Sequence, residues 1–403
     1  MRRKALSLIV TLAVCMSMFA GTDKSAKSDD GQIENIISPV DISQSPLKFK
    51  ILSDSTVEVE KVNYKDLDSV NIPSKVRIDG KVYNVTSIGE RAFKGCSSLT
   101  SISIPKSVSS IGSEAFKGCS SLTSISIPKS ISSIGGRAFY GCEKLTPHLL
   151  TYDNGTKCYG WVGEKDSCVN VVIPRSVSSI GSEAFADCKS LTNISIPKSV
   201  SSIGSDAFRG CSSLTSISIP KSVISIGEDA FRGCSSLTSI SIPKNISNIG
   251  DWTFYGCSSL TSISIPESVS SIKYRAFEGC SSLASISIPK SVSFIGDHAF
   301  EGCRSLTSIS IPERVYYIGW GAFKDCSSLA SISIPKSVPN IEDEAFSGCS
   351  SLTSISIPKS VSRIDFGAFK GCVNLDVVIE NSEENVKVGT DAFEGCKSVK
   401  FTK

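Results

Sequence analysis

Histidine is almost missing from this chain of 403 residues: His148 and His298 are the two it has, and they fall in separate stretches of a repeating pattern. No metal site is expected, because no zinc-type ligand cluster can form around either. No histidine stands near a recurrently placed acid, so acid-base catalysis has no anchor. Net charge is equally scarce. The 42 basic and 39 acidic side chains leave +3, too balanced for a nucleic-acid partner. Nucleophile elbows and glycine-rich phosphate loops are absent, so neither an enzyme nor a cofactor is expected. Apolar runs are short: the longest, residues 5–20, falls below the roughly 20 residues that a spanning helix needs, and no transmembrane helix is expected in the mature chain.

What the chain does have is one phrase, written over and over: Ser98-Leu-Thr-Ser-Ile-Ser-Ile-Pro-Lys-Ser-Val-Ser-Ser-Ile-Gly-Ser-Glu-Ala-Phe-Lys-Gly-Cys119. Its period is 23, and the cysteine recurs at Cys96, Cys142, Cys188, Cys211, Cys234, Cys257, Cys280, Cys303, Cys326, Cys349 and Cys372. A fixed period of about 20–29 with leucine-like residues at the first, fourth and sixth places predicts a leucine-rich-repeat solenoid. Ile102 and Ile104 alternate with serines, so they should point inward from a strand. Pro105 lacks an amide hydrogen and ends that strand. Val108 and Ile111 should return the chain across the core. Ser113 with Glu114 then reads as the start of a single helical or 3₁₀ turn over residues 113–117 that buries Ala115 and Phe116. Ordering 23 backbone residues costs about 1–2 kcal/mol each, more than one unit's few buried side chains return. Units must therefore cover one another's open faces, about 14 of them from Phe93 to Phe393, in a stack roughly 65 Å long.

The Leu-x-x-Ile-x-Ile-Pro stretch, followed by Val, Ile-Gly, Ala-Phe and Cys, resembles the treponemal-type leucine-rich repeat of BspA-like surface proteins of bacteria and some protozoa. The resemblance spans about 340 residues. It implies a mostly β repeat with a parallel sheet on the concave face. It also implies a surface location, with adhesion to proteins or glycans of a host or neighbouring cell.

In chain order, residues 1–20 read as a signal peptide: Arg2, Arg3 and Lys4 precede an apolar core, with Ala20 and Gly21 at the cleavage point. A secreted or cell-surface location follows. Leu12-Ala13-Val14-Cys15 is similar to a lipoprotein box with Cys15 as the acylated residue, although Val14 departs from the small residue wanted there. Residues 21–47 read as a flexible spacer. Residues 48–85 hold two hairpin signals, around 53–56 and at Asp79-Gly80, and form a β cap before the array at 86–379. Within the array, residues 143–168 lose the pattern although Cys142 and Cys188 lie two periods apart. By register Trp161 takes the alanine place, Val162 the phenylalanine place, Lys165 the cysteine place and Cys168 the leucine place. This is either a drifted unit that still stacks or a specialised recognition loop. Residues 380–403, with the acidic run from Glu380, form an irregular last repeat and C-terminal cap.

The cysteine column should hold buried free thiols, since a uniform ladder gives each thiol two equal neighbours. Cys158 and Cys168 stand off the column and form the candidate disulfide. Two binding features emerge. One is a basic row after each proline, including Lys106, Lys129, Lys198, Lys221 and Lys244, which is either a contact for acidic partners or a solubilising edge. The other is a set of aromatic exchanges: Phe294 and Tyr317 for Ser110, Tyr316 for Ser109, Tyr274 and Trp320 for Ser113, and Trp252 for Glu114. These should gather on one lateral or convex surface. The function expected is adhesion or protein or glycan binding. The alternatives are a ligand-free structural spacer, an enzyme sited in the divergent unit, and a serine lattice that orders water or sugar hydroxyls.

Overall fold

The structure, a computed structural model, describes residues 38–61, 64 and 66–402. The expected signal peptide, Cys15 and residues 21–37 of the spacer lie outside the described residues. Pro39–Lys403 form one compact unit, a leucine-rich-repeat solenoid in which each regular turn adds two short strands. Like strands of successive turns pair in parallel. In the first ladder Ser101 lies opposite Ser124 and Ile102 opposite Ile125. Ile102 is buried while Ser101 and Ser103 face solvent, as the alternation requires.

The second ladder runs through the stretch expected only to carry the chain back. Ser110 pairs with Ser133 and Ile111 with Ile134. Flanking amides extend it, with Ser109 N donating to Thr86 O at 2.9 Å and Gly112 N to Ile88 O at 2.8 Å. Val108 and Ile111 are both buried beneath it.

Residues 113–117 do not form the helical or 3₁₀ turn expected of them. Glu114 has φ 54°, and the same place in other turns is left-handed too, for instance at Arg137 (56°), Trp252 (49°) and His298 (56°). A right-handed helix excludes such a residue. The cause is hydrogen bonding between turns. The amides of Glu114, Phe116 and Gly118 donate to the carbonyls of Gly136, Ala138 and Tyr140 at 3.0, 2.8 and 2.8 Å. Those of Ala115, Lys117 and Cys119 close tight turns onto Gly112, Glu114 and Phe116. Alternate amides are thus committed to the next unit, which offsets the roughly 1–2 kcal/mol that a left-handed L-residue costs.

Inside, phenylalanine rings stack. Phe93, Phe116 and Phe139 lie 5.4 Å apart, with planes within 3° of parallel. A second run from Phe185 to Phe208 and Phe231 repeats that spacing at 5.4 Å and continues to Phe369 and Phe393. The cysteine column beside it does more than fill space. Cys142 Sγ donates to Phe116 O at 3.1 Å, and Cys257 Sγ to Phe231 O at 3.2 Å. Each such carbonyl also accepts an amide from its own turn, so the thiol satisfies its second lone pair.

The ends depart from the repeat. Phe49–Ile51 pairs antiparallel with Thr56–Val59, and Lys75–Ile78 with Lys81–Ile88. Ser87 and Ile88 then start the second ladder. The flexible spacer expected to run to residue 47 stops short of that. Val40–Asp41 pairs with Val76 and Arg77, and Leu47 is fully buried because the first core edge needs an apolar cover. At the other end Lys387–Val388 and Ser398–Phe401 continue the two ladders.

The divergent unit splits the interior. His148–Tyr152 and Lys157–Val162 form an antiparallel hairpin, and the buried side chains separate into one cluster from Leu47 to Val162 and another beginning at Cys158. The phenylalanine column is therefore two runs, ended on the first side by Tyr159, whose ring meets Phe139 edge-on at 5.4 Å.

Candidate functional site

The aromatic exchanges do not form a single patch; they sort into columns. Trp252, Tyr274, His298 and Trp320 touch in series, with ring centroids 4.9, 6.0 and 4.9 Å apart. The series steps between two neighbouring columns, because Trp252 and His298 stand in the left-handed place and Tyr274 and Trp320 in the place before it. Backbone bonds fix the step: Trp252 N donates to Tyr274 O at 2.9 Å and His298 N to Trp320 O at 2.7 Å. Carboxylates brace the row. Asp251 Oδ1 accepts from Tyr274 N at 2.9 Å, and Asp297 Oδ1 from Trp320 N at 3.1 Å and from Tyr317 Oη at 2.9 Å. Burial and the acceptor Asp297 together raise the Tyr317 phenol above its ordinary value.

Phe294 and Tyr317 form a separate stacked pair on the second ladder, 5.0 Å apart. Most of these rings are half-buried against their neighbours. Tyr316 and Trp320, 57% and 48% exposed, are the two that reach solvent. Sequence reading missed two members. His298, which the sequence offers neither as a metal ligand nor as a catalytic base, places its buried ring 2.5 Å from the Glu301 carboxylate within the aromatic row. Phe366, 45% exposed, repeats the Trp320 place two turns later with its amide on Asp343 at 2.9 Å, and its spacing of 46 from Trp320 was a usable signal.

Lys106, Lys129, Lys198, Lys221 and Lys244 are exposed. None lies within 4.0 Å of a carboxylate among the described residues, so the row is a solvated basic edge of the first ladder.

Cys158 and Cys168 do not form the candidate disulfide; their thiols are separate. Cys158 pairs with Ile180 and so fills the isoleucine place of the second ladder, while Cys168 fills the leucine place and meets the Cys188 thiol. Burial pushes the Cys158 thiol up to about 12. The register count also needs correction. Trp161 N donates to Ala184 O, the bond that a phenylalanine makes elsewhere, so Trp161 holds the phenylalanine place in the backbone instead of the alanine place. Cys158 and Trp161 are three residues apart where Ile111 and Phe116 are five, so Lys157–Val162 crosses between these two places as one strand and counting in 23s fails along it.

Two glycines let this hairpin lie flush on its neighbours. A Cβ at Gly160 (φ 126°) would fall 2.0 Å from Ala184 O, and one at Gly163 (φ 81°) 2.3 Å from Leu145 O. Beside them is a cavity of about 600 Å³ lined by Phe139 and Cys142 of the preceding turn, Ala184 and Ala186 of the following one, and Tyr159 and Trp161 between. It occupies the volume that an Ala-Phe-Lys-Gly-Cys turn fills elsewhere. Arg137 and Glu183, 46 residues apart, reach across at 2.8 Å.

Comparison with known proteins agrees with this architecture. Residues 63–156, 163–284 and 272–400 match the BspA type leucine rich repeat region, in six copies. A leucine rich cell surface protein from Faecalibacterium prausnitzii is 30% identical, with 85% of this chain and 97% of that one covered and a TM-score of 0.54. A leucine-rich repeat protein from Bacteroides ovatus is 31% identical over 82% of this chain and 98% of its own, with a TM-score of 0.46. The pneumococcal vaccine antigen PcpA, 20% identical, shares the fold over 89% of this chain and 98% of its own at a TM-score of 0.50. No curated protein matches the chain.

Proposed function

Because the chain belongs to the BspA-type leucine-rich-repeat family, we propose that it is a non-enzymatic adhesin, secreted or held at the cell surface. Its partners are proteins or glycans of a host or neighbouring cell, engaged through the flank between residues 252 and 320. The observation that carries this reading is the exposure of Tyr316 and Trp320 where the repeat otherwise places serine. Exposed aromatics on a braced backbone provide large contact area with little entropy to lose, which is the make-up of binding hot spots. The solvated lysine edge adds long-range attraction for acidic partners, and contacts repeated along the stack accumulate into avidity.

The test is adhesion of the mature chain to immobilised matrix proteins, mucin and epithelial cells. Tyr316→Ser with Trp320→Ser restores the repeat's own residues, so folding should be untouched. At least tenfold weaker adhesion is expected, with residual binding that falls further as salt rises. Adhesion at the unaltered level would refute the flank and favour the spacer reading.

A further inference from the structure

The flank leaves the cavity at the divergent unit unexplained. Its size of about 600 Å³ falls within the range of sites that enclose small ligands. In the regular turns a stacked ring and a thiol occupy the corresponding place, as Phe208 and Cys234 do.

The walls are of two kinds. Trp161 and Tyr159 alternate with buried residues along one strand, so both project from the same side of it. Trp161 is held in place by Nε1 donating to Glu164 O at 3.2 Å and by Lys165 Nζ donating to its carbonyl at 2.9 Å. Tyr159 Oη accepts the Phe139 amide at 3.1 Å, which closes the floor. A fixed indole offers a flat apolar face that requires no ordering when a ligand arrives.

Around the aromatic wall stand Glu143, Glu164 and Asp166, none with a cation within 4.0 Å among the described residues, and Lys144, likewise without a carboxylate. Arg137 is already matched by Glu183. An anion would meet three unpaired carboxylates, and a cation would meet Lys144 and Lys165. The arrangement suits a ligand without net charge that both donates and accepts hydrogen bonds and has one apolar face. Hydroxyl groups meet the first condition and a pyranose ring meets the second.

We propose that this cavity binds a short neutral saccharide, with Trp161 as the stacking platform and Glu143, Glu164 and Lys144 as partners for its hydroxyls. The site is remote in sequence from the flank of the proposed adhesin and stands on its own. Loss of adhesion in the Tyr316→Ser, Trp320→Ser protein and loss of sugar binding in the Trp161→Ala protein are separate failures.

The experiment is titration of the full chain with lactose, maltotriose, cellotriose, mannotriose and chitotriose, followed by calorimetry and saturation-transfer NMR. At least one should bind, weakened tenfold or more by Trp161→Ala. Ser182→Trp, which fills the mouth from an exposed lining position, should abolish binding while thermal unfolding stays as in the parent. The proposal fails if none of the five binds. It fails equally if both variants bind as the parent does.

Discussion

The array from Phe185 onward and the divergent unit at 143–168 follow the same chemistry to opposite ends. In the array backbone, thiol and threonine groups find partners one turn away, as in Phe208 N with Ala230 O at 2.8 Å, Cys234 Sγ with Phe208 O at 3.1 Å and Thr238 Oγ1 with Thr215 O at 3.1 Å. Its interior keeps no room for a ligand, and binding there is left to the exposed faces. In the divergent unit one ring and one thiol column member are missing, and Cys188 meets Cys168 where its counterparts meet a phenylalanine carbonyl. The contrast teaches that a one-dimensional stack opens a cavity when one unit exchanges its Ala-Phe-Lys-Gly-Cys segment for a hairpin while its neighbours hold their positions.

Making the array imitate the gap should be costly. Phe277 is fully buried between Phe254 and Phe300, at 5.4 and 5.3 Å. Phe277→Ala removes a ring without the hairpin that compensates near residue 160, so a loss of about 3–5 kcal/mol is expected in urea unfolding. A loss below about 1 kcal/mol would mean that the stack relaxes into vacancies freely, and the gap at 143–168 would need no special design.

The thiol column gives a smaller effect. Cys257→Ala forfeits both volume and the bond to Phe231 O, and about 1–2 kcal/mol should be lost. Reactivity separates the regions as well. Burial raises most of the column thiols, among them Cys372 to about 12, whereas the hydrogen bond with Cys168 lowers Cys188, and the half-buried Cys396 is raised to about 11. Thiolate is the reactive form, so among the described thiols alkylation of the native protein at pH 8 should mark Cys396 first and leave the fourteen buried ones until unfolding. Rapid labelling of Cys257 would show that the column opens locally.

How much of this could be read from the letters differs by element. The inward isoleucines, the phenylalanine stack and the cysteine column were legible because each is a constant letter at a constant step, and in register a constant letter becomes a row. The left-handed place at Glu114 was hidden, since that column carries Glu, Arg, Asp, Trp and His and shows no steady glycine. The second ladder escaped because two-residue strands have no periodicity of their own. In the aromatic row, contacts fall at steps of 22 and 24, so Tyr274 with His298 could not be found by counting in 23s. The cavity required knowing that Arg137 and Glu183 face each other, which depends on a turn that is absent.

That pair gives the next prediction. Arg137 is about half exposed, so the bridge is screened and its removal by Arg137→Gln should cost only about 0.2–1 kcal/mol, less at high salt. If the cost were several kcal/mol, the bridge would be clamping the gap shut instead of spanning it.

The smallest effect concerns the regular counterpart of that pair. Glu114 has not one partner but three, Lys117, Lys94 and Arg91, at 2.7, 2.7 and 2.9 Å. The hydrogen bond from Lys117, followed by those from Lys94 and Arg91, holds its carboxyl well below the usual carboxylate range. A carboxylate depressed by folding contributes stability that is complete above its unfolded pKa of about 4.3 and disappears as pH falls through the folded value. Glu114→Gln should therefore lower stability modestly at pH 7 and flatten the acid limb below about pH 4, so that parent and variant converge there. Because the group lies at the surface, the difference at pH 7 should shrink with added salt. Parallel acid limbs would mean that the three cations gain as little from Glu114 as isolated surface pairs do. The comparison would then rest on the buried rings and thiols alone.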